Sequence, residues 1–506
     1  MGDFTSRHWD EQDERVSTGI PGLDEVLNGG FPQGHFFLLE GEPGTGKTTI
    51  GLQFLMDGAR RGEKALYVTL SESQREIEKV ARSHRWSLDG VTLFEYIPSE
   101  DSLRPEDQYS AFHPSEVEFQ DTTQSILREV ERVQPARVVL DSLSEIRLLA
   151  RDSLRYRRQV LALKQFFTNR NCTVLLLDDR TSGTDDVQLQ SIAHGVLILE
   201  KVPREYGKTR RRVQIAKLRG SSYREGYHDY TIETGGVLVW PSLIANEHRM
   251  PFTGGVISSG LPELDDIWGS GLDRGTSTLL LGPAGSGKSS VAMSYAVAAA
   301  RRGEYASVFL FEELAHLACK RAAALGMDPV GCLTSKKLHI KQIDPAELAP
   351  GEFVQHVRSA VEDHGAKVVV IDSLNGYLNS MVGEHHLAIQ MHELLAYLNQ
   401  RGVVTIVVLA QAGLMGAAMT SPVDLSYMAD NVMMFRYFEA GGRVRKAVSV
   451  VKKRSGAHED TIRELQMKEG RMIVGAALTQ FRGVLSGVPT YVGSAKGLGK
   501  TDAQER

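Results

Sequence analysis

Two stretches of this chain have very similar sequences. They are centred on Lys47 and Lys288, which are 241 residues apart. The first reads LLEGEPGTGKTT and the second LLLGPAGSGKSS, and a similar opening segment precedes each. The repetition continues downstream, where RVVLDSL ends at Leu143 and VVVIDSL ends at Leu374. A period this long is too large for a solenoid of short repeats and indicates duplication of a whole domain. A length of 506 residues also exceeds what a single hydrophobic core usually serves.

The repeat predicts where the domains begin and end. We assign the first domain to residues 16–241 and the second to residues 254–490, with residues 242–253 as a linker. Residues 1–15 are expected to be a flexible N-terminus and residues 491–506 a disordered tail, because both are polar and poor in apolar side chains.

Each half alternates short apolar runs with longer amphipathic stretches. Runs such as FFLLE, RVVLD and TVLLLDD lack the alternation of a half-exposed strand, which favours central parallel strands buried on both faces. Stretches such as Lys47–Arg60 and Arg155–Asn169 predict helices, whereas the charged stretch Ser99–Asp121 predicts a mobile surface excursion. The pattern predicts an α/β fold of two tandem P-loop domains, each with a central, mostly parallel sheet.

Composition excludes several classes of function. A formal net charge of -5 gives no general attraction to nucleic acid or anionic lipid. No apolar run is long enough to span a bilayer. The three cysteines, Cys172, Cys319 and Cys332, lack metal-binding spacing and suit reduced thiols. We therefore expect a cytoplasmic protein with neither a membrane nor a nucleic acid as partner.

Both Gly-rich stretches satisfy the pattern G-x-x-x-x-G-K-[ST] between an apolar strand and a helix. In this motif the glycines let backbone N–H groups surround phosphates, the helix N-terminus adds a favourable dipole, and the lysine reaches the β- and γ-phosphates. Two copies in matching positions predict two nucleotide sites. The residues predicted to bind nucleotide are Gly41, Gly44, Thr45, Gly46, Lys47, Thr48 and Thr49 in the first copy, and Gly282, Gly285, Ser286, Gly287, Lys288, Ser289 and Ser290 in the second.

The same motifs predict magnesium sites. Thr48 and Ser289 supply the hydroxyl that binds Mg²⁺ in a P-loop, and Asp141 and Asp372 end apolar strands where a further carboxylate belongs. The alternative for each aspartate is an ordinary cap of the next helix. The P-loops upstream favour the metal role.

Hydrolysis also needs a base or a group that orients water. Glu312 and Glu313 follow the second strand of the second domain, and the equivalent positions of the first domain are Ser71 and Glu72. The alternative is that these carboxylates merely favour the start of a helix. Gln411 and the pair Asp178–Asp179 end later strands, at positions that suit a polar sensor of the γ-phosphate.

A basic stretch, Lys201–Arg212, lies between two apolar strands of the first domain. It is interpreted as a solvated β-hairpin tip. A nucleic-acid or inter-subunit contact is the alternative, but the stretch has only Tyr206 as a stacking aromatic.

These motifs resemble those of KaiC-type ATPases of the RecA superfamily. The resemblance covers roughly residues 16–490 and is carried by STGIPGLDEVLNGGFPQG, the paired P-loops, the FEE of Phe311–Glu313, the DSL after each strand-end aspartate, and the KLRGSSY of Lys217–Tyr223. It implies two RecA-like domains, ATP as the nucleotide, and a hexameric ring with ATP bound between neighbouring subunits. It also implies catalysis by the carboxylates after the second strand.

The resemblance further implies that a Lys-x-Arg pair near the end of each domain reaches the nucleotide of the neighbouring subunit. The matching residues are Lys217 and Arg219 in the first domain and Lys452 and Arg454 in the second. An arginine supplied in trans stabilises charge during phosphoryl transfer. The alternative is that these residues are basic side chains at the end of a strand, without a role at a nucleotide.

Two departures from the family pattern affect the prediction. The first domain has Ser71 where the family has an acid, so Glu72 stands alone and hydrolysis there is expected to be slowed; the alternative is that Glu72 suffices. The family's Ser-Thr phosphoacceptor pair aligns with Ser426 and Tyr427, which makes Ser426 a candidate for autophosphorylation or a plain loop serine. A clock-type activator is not expected to recognise the tail, and a KaiB-like partner stays open.

The leading hypothesis is a hexameric ATPase with Ser/Thr autokinase activity in its second domain, acting in signalling or timing. One alternative is a RecA/DnaB-like DNA-handling ATPase, against which the acidic net charge argues. The other alternative is a nucleotide-gated signalling scaffold with little turnover. Division of labour between the sites is expected, with the first assembling the ring and the second carrying the better-equipped chemistry.

Overall fold

The computed structural model describes residues 14–96, 114–150, 152–180, 186–204, 207–344, 346–380, 387–411, 427–468, 470–485 and 489–492. The chain divides into two compact units, Met1–Ser242 and Leu243–Arg506. Each unit is built around its own nine-stranded sheet.

The first unit alternates helices and strands along most of its length. Its helices are α1 (Leu23–Val26), α2 (Lys47–Arg60), α3 (Gln74–Ser83), α4 (Pro114–Val133), α5 (Leu143–Ala150), α6 (Ser153–Thr168) and α7 (Asp186–Ile192). Its strands are β1 (Arg15–Val16), β2 (Phe31–Pro32), β3 (Phe36–Gly41), β4 (Ala65–Thr69), β5 (Val91–Glu95), β6 (Arg137–Asp141), β7 (Thr173–Asp179), β8 (Gly195–Val202), β9 (Arg210–Leu218), β10 (Tyr227–Glu233) and β11 (Gly236–Trp240).

The large sheet of the first unit has the order β11-β10-β9-β8-β3-β7-β6-β4-β5. The six strands from β8 to β5 in that order pair in parallel, and β9, β10 and β11 extend the sheet as antiparallel hairpins. Because parallel strands end at the same edge, the carboxyl ends of β3, β4, β6 and β7 lie together. The residues that follow these four strands form the first candidate site.

The second unit repeats this arrangement. Its helices are α8 (Pro262–Ile267), α9 (Lys288–Arg301), α10 (Ala315–Ala323), α11 (Pro329–Thr334), α12 (Pro350–Glu362), α13 (Leu374–Ser380) and α14 (Leu387–Gln400). Its strands are β12 (Val256–Ile257), β13 (Leu272–Asp273), β14 (Ser277–Gly282), β15 (Ala306–Leu310), β16 (Leu338–Gln342), β17 (Val368–Asp372), β18 (Val404–Ala410), β19 (Asn431–Ala440), β20 (Arg443–Lys453), β21 (Arg463–Lys468), β22 (Arg471–Ala477), β23 (Phe481–Arg482) and β24 (Thr490–Tyr491).

The second large sheet has the order β16-β15-β17-β18-β14-β19-β20-β21-β22, with the six strands from β16 to β19 parallel. Strands β14 and β3 therefore occupy the same central place in their sheets. The predicted α/β class, with two central and mostly parallel sheets, is confirmed.

Alternate residues of the central strands pack on opposite faces of each sheet. In β3, Phe37 and Leu39 belong to the cluster that contains Leu52 of α2, whereas Phe36 and Leu38 belong to the cluster that contains Leu163 of α6. Burial on both faces explains why these strands are continuous apolar runs. Helix α2 is thereby fixed on the sheet with its first residue, Lys47, directly after the Gly-rich loop.

Two segments refine the predicted picture. Residues 114–121 belong to helix α4, while residues 97–113 lie outside the described residues. Strands β8 and β9 pair antiparallel from Gly195–Leu218 to Val202–Arg210, so the two ends of the basic stretch Lys201–Arg212 lie on paired strands, and residues 205–206 are outside the described residues.

The segment between the two repeats packs on the second unit. The backbone N–H of Ala245, in the 3₁₀ turn Ala245–His248, donates to a carboxylate oxygen of Glu393 at 3.1 Å. The rings of His248 and Tyr397 meet edge to face with centroids 5.3 Å apart. The ring of Phe252 lies so close to Gly402 that a Cβ there would come within 2.5 Å of it. Residues 243–252 therefore form part of the second unit's packing.

Candidate functional site

The first Gly-rich loop connects the end of β3 to the start of α2. Gly44 and Gly46 have φ angles of 78° and 96°, in the left-handed region that favours glycine. A Cβ on Gly46 would lie 2.6 Å from Ile232 Cδ1, and one on Gly41 would lie 2.7 Å from Thr45 Oγ1. The loop therefore requires glycine for both its backbone shape and its close packing.

Lys47 folds back over this loop. Its Nζ donates to the carbonyl oxygens of Gly41 at 2.7 Å and Glu42 at 3.2 Å, and it forms an ion pair with Asp179 at 2.8 Å. The hydroxyl of Thr45 donates to the carbonyl of Glu42 at 2.7 Å, which closes the turn. Thr49, in the first turn of α2, is buried.

The second loop has the same geometry with different neighbours. Gly285 and Gly287 have φ angles of 73° and 110°, and Lys288 Nζ donates to the carbonyls of Gly282 at 2.8 Å and Pro283 at 2.7 Å. Burial lowers the pKa of Lys288 to about 8, although Asp372 and Glu312 pull it upward. The hydroxyl of Ser286 is buried without a hydrogen-bond partner, and Ser290 is buried in the first turn of α9.

The P-loop hydroxyl and the strand-end aspartate meet in the first domain. Thr48 Oγ1 donates to Asp141 Oδ2 at 3.2 Å, and the phenol of Tyr67 donates to the same oxygen at 2.5 Å. Burial raises the pKa of the Asp141 carboxyl, and the two hydrogen bonds partly offset that rise. A buried carboxylate beside a hydroxyl is a pair of hard oxygen donors, which fits Mg²⁺.

The second domain pairs Ser289 with Asp372 in the equivalent way. Burial raises the pKa of Asp372, and a hydrogen bond from Ser289 opposes the rise. Val308 occupies the position in β15 that Tyr67 occupies in β4. Asp372 therefore has no phenol donor from that position. The donor sets of the two sites therefore suit the same ion but differ in their hydrogen bonding.

The acids predicted to assist hydrolysis lie near these carboxylates. Glu72 is half-buried, and one oxygen of its carboxylate has no hydrogen-bond partner. Burial first, and the nearby Asp141 charge second, raise the pKa of Glu72. Ser71 is exposed and adds no acid. The structure thus brings Glu72, Asp141 and Lys47 of the first domain together.

In the second domain the two acids have different surroundings. Glu313 forms an ion pair with Arg321 of α10 at 2.8 Å. Glu312 stands beside Gly376, since a Cβ there would lie 3.3 Å from Glu312 Cγ, and its charge raises the pKa of Lys288. Glu312 is therefore the acid nearer to the P-loop lysine, and Glu313 is held by an arginine.

The three further polar residues at strand ends lie in different surroundings. Asp178 is buried and accepts from Ser144 Oγ at 2.8 Å and from Arg147, which directs it towards α5. Asp179 faces Lys47. Gln411 donates its backbone N–H to Gly282 at 3.0 Å, and its side chain accepts from Arg436. Of the three, Asp179 makes the direct contact with a P-loop lysine.

The Lys-x-Arg residues lie at the other end of each sheet. Lys217 of β9 pairs with Val196 of β8, which in turn pairs with Leu38 of β3. The last residue of β3, Gly41, pairs with Leu199. The P-loop therefore begins three residues, about 10 Å, further along the strands. Lys217 donates to the carbonyl of Gln190 and Arg219 to that of Ser191 at 2.6 Å. In the second domain Lys452 donates to the carbonyl of Ala429 at 2.7 Å, and Arg454 pairs with Asp430 at 2.9 Å.

Two residues beside the loops were missed by the sequence reasoning. Lys201 Nζ would lie 3.6 Å from a Cβ on Gly44, and the Tyr437 hydroxyl would lie 2.8 Å from one on Gly285. The strand register makes these two positions equivalent, so the two loops have a cation and a phenol as their respective neighbours. Sequence signals for both were weak because each lies on a strand that joins the P-loop only through the sheet.

The proposed phosphoacceptor, Ser426, lies outside the described residues, and its neighbour Tyr427 is exposed. Among the described helices, none combines the length and apolar character needed to cross a membrane.

The comparisons with known proteins point to one family. A family model described as the KaiC ATPase matches residues 16–244 and 257–478. The circadian clock protein KaiC3 of Synechocystis sp. is 26% identical over 495 residues, which cover 96% of this chain and 96% of that protein. The circadian clock oscillator protein KaiC of Picosynechococcus sp. is 26% identical over 492 residues, or 95% of this chain and 93% of that protein. The matched segments include both P-loops and cover most of the chain, which therefore belongs to the KaiC family of ATPases and has two tandem RecA-like domains.

Proposed function

We propose that this protein hydrolyses Mg²⁺-bound ATP at both P-loops. The observation that carries the proposal is the meeting of Thr48, Asp141 and Lys47 at the end of a parallel sheet, where a hydroxyl, a buried carboxylate and a lysine converge. Bound Mg²⁺ would supply charge neutralisation for the phosphates. Thr48 and Asp141 would hold the ion in the first domain, and Ser289 and Asp372 in the second.

Glu72 is proposed as the group that accepts the proton of the attacking water in the first domain. Its raised pKa brings it closer to the range of an effective general base, and one oxygen of its carboxylate is buried without a hydrogen-bond partner. In the second domain we assign the same role to Glu312, with Glu313 positioned beside it by Arg321. This assignment gives the second domain two acids where the first has one.

We further propose a nucleotide-dependent ring of six copies. Lys217 and Arg219 lie at the end of the sheet remote from their own P-loop, and Lys452 and Arg454 are related to theirs in the same way. Residues so placed are available to a nucleotide held by a neighbouring copy, where an arginine stabilises the charge of phosphoryl transfer. The relatives' names as clock proteins favour a role in signalling or timing, with a KaiB-like protein as the proposed class of partner.

Autophosphorylation of Ser426 by the second domain completes the proposal. The γ-phosphoryl group of ATP would pass to the serine oxygen, the bond between the β–γ bridging oxygen and the γ-phosphorus would break, and ADP would leave. The serine proton would pass to Glu312.

The test is phosphate release and [γ-³²P]ATP labelling of the unmodified protein and of Lys47→Ala, Lys288→Ala and Ser426→Ala. Each P-loop variant should lose a share of the turnover, and labelling should be lost with Lys288→Ala and with Ser426→Ala. Lys79→Ala, which removes an exposed lysine of α3, is the matched control and should leave both readouts unchanged. Unchanged turnover in both P-loop variants would reject the ATPase assignment, and turnover without label would reject the kinase step alone.

A further inference from the structure

Three cations of the first domain converge on the last turn of helix α7. Lys217 donates to the carbonyl of Gln190, Arg219 to that of Ser191 at 2.6 Å, and Lys164 to that of Ile192 at 2.8 Å. Three consecutive carbonyls thus each receive one positive side chain. Lys164 comes from α6 and belongs to no motif in the sequence.

The charge of this cluster is not balanced by a carboxylate. Among the described residues, no ion pair joins Lys164, Lys217 or Arg219 to an acid. Burial, followed by the repulsion of the neighbouring cations, lowers the pKa of both lysines. The adjacent His194 has its pKa lowered to about 4 and is uncharged at neutral pH. Two half-buried lysines with depressed pKa values beside the exposed Arg219 have the character of an anion site.

The equivalent place in the second domain has a different charge. The backbone N–H of Arg219 bonds the carbonyl of His194, and that of Arg454 bonds the carbonyl of Asp430, so His194 and Asp430 correspond. Asp430 pairs with Arg454 at 2.9 Å and neutralises it. The turns that end α6 and α14 have matching backbone hydrogen bonds, which makes Leu395 the counterpart of Lys164 in the second domain. Leu395 is buried. The first domain therefore offers three cations without a carboxylate partner, whereas in the second domain Asp430 neutralises Arg454 and Leu395 replaces Lys164.

The cluster cannot serve the P-loop of its own domain. Lys217 is level with Val196 near the amino ends of the parallel strands, and Gly41 ends β3 at the opposite edge. Lys164 lies near the end of α6, which precedes the amino end of β7. An anion bound there must come from outside the domain.

We propose that Lys164 joins Lys217 and Arg219 in binding the triphosphate of a nucleotide held by the first domain of a neighbouring copy. The inference rests on the proposed ring and adds a residue to its contact. It also makes the first-domain contact more strongly dependent on phosphate charge than the second-domain contact, which lacks the third cation and contains Asp430.

The experiment uses the full chain with Lys288→Ala, so that nucleotide binding reports on the first domain. Assembly is followed by sedimentation velocity against the concentration of a non-hydrolysable ATP analogue, at two salt concentrations. Lys164→Met removes the charge and retains the length of the side chain. It should raise the analogue concentration for half-assembly about tenfold, as expected for loss of one charge-assisted hydrogen bond. It should also reduce the salt dependence.

Two controls accompany this variant. Lys164→Arg retains the charge and should assemble like the parent, and Arg158→Ala removes an exposed cation from the same helix α6 without touching the cluster. His194→Asp places a carboxylate where the second domain has Asp430, and should weaken assembly in the same direction as Lys164→Met. It therefore keeps the proposal testable if Lys164→Met fails to fold, which thermal melting reveals.

The outcomes separate the two proposals. Parent-like assembly of both Lys164→Met and His194→Asp overturns the third-cation proposal and leaves the ring intact. Absence of assembly in the unmodified chain at any analogue concentration overturns both. If inorganic triphosphate weakens assembly of the parent by competing for the cluster, the result supports a phosphate-specific contact. If Arg158→Ala weakens assembly as much as Lys164→Met does, that contact is overturned.

Discussion

The amino group of Lys47 lies 2.8 Å from a carboxylate oxygen of Asp179, and the second domain has Ala410 at the equivalent place on its strand. The two P-loop lysines therefore start from different surroundings. In the first domain a phosphate must compete with Asp179 for Lys47. In the second domain the lysine is held by main-chain carbonyls alone among its described contacts.

We expect Asp179→Ala to tighten nucleotide binding by the first domain. The competing carboxylate is lost together with its repulsion of the incoming phosphates. The gain should be a few-fold, about 1 kcal/mol or less, because the Asp179 side chain is 42% exposed and solvent screens the pair. Titration with a fluorescent ATP analogue in a Lys288→Ala background measures the change. Asp89→Ala, an exposed acid of the same domain, is the control, and weaker binding by Asp179→Ala would contradict the prediction.

Tyr67→Phe should shift the pH dependence of first-domain turnover. The phenol hydrogen bond stabilises the ionised form of Asp141, so its removal raises the pKa of that carboxyl. The ionised form is the one that binds a cation. The acid limb of the pH–activity profile should therefore move to higher pH by about one pH unit. Phosphate release against pH in a Lys288→Ala background is the measurement. Tyr227→Phe removes an exposed phenol and should leave the profile in place.

Nucleotide binding by the second domain should take up a proton above pH 8. Burial lowers the pKa of Lys288 to about 8, so the empty site is charged below that pH and increasingly neutral above it. Phosphate binds the charged form, so affinity should be constant below pH 8 and then fall by about tenfold per pH unit. Calorimetry of Lys47→Ala in two buffers of different ionisation enthalpy counts the protons. A flat profile between pH 7 and pH 10 would remove the basis for this expectation.

Arg137→Ala should destabilise the first domain severely. The Arg137 guanidinium is 1% exposed, donates to Glu63 at 2.5 Å and to the carbonyls of Ser17 and Phe54 at 2.9 Å, and pairs with Asp57 at 3.3 Å. Its loss leaves buried acceptors without a donor, at a cost of about 3–5 kcal/mol. Denaturant unfolding monitored by Trp fluorescence measures the effect. Arg170→Ala breaks an exposed pair with Glu131 and should cost less than about 1 kcal/mol, so equal losses in both variants would refute the argument.

The fold and the P-loops were predictable because their signals are local. A buried parallel strand, a Gly-rich turn and the first turn of a helix are consecutive in the chain, so the motif specifies its own geometry. The predicted helix Lys47–Arg60 has the observed bounds, and Arg155–Asn169 lies close to α6, Ser153–Thr168. The α/β class and the KaiC-type resemblance are confirmed on the same evidence.

The contacts around the loops were not predictable because they depend on strand order. Strand β4 lies beside β6, which brings Tyr67 to Asp141 although 74 residues separate them. Lys164 reaches the carbonyl of Ile192 only because α6 and α7 pack on the same side of the sheet. No pattern in the amino-acid sequence indicates that Tyr67 or Lys164 makes these contacts. The roles assigned to Glu72, Glu312 and the Lys-x-Arg pairs stay predictions that the experiments above address.

The packing of residues 243–252 on the second unit has a practical consequence for dissecting the chain. A fragment that starts at Gly254, where the repeat begins, would lack the Ala245 turn and the Phe252 ring, and would present Tyr397 and the surface at Gly275 and Gly402 to water. Newly uncovered apolar surface promotes self-association. A cut after Ser242 leaves this packing whole, so the recombinant second half should begin at Leu243.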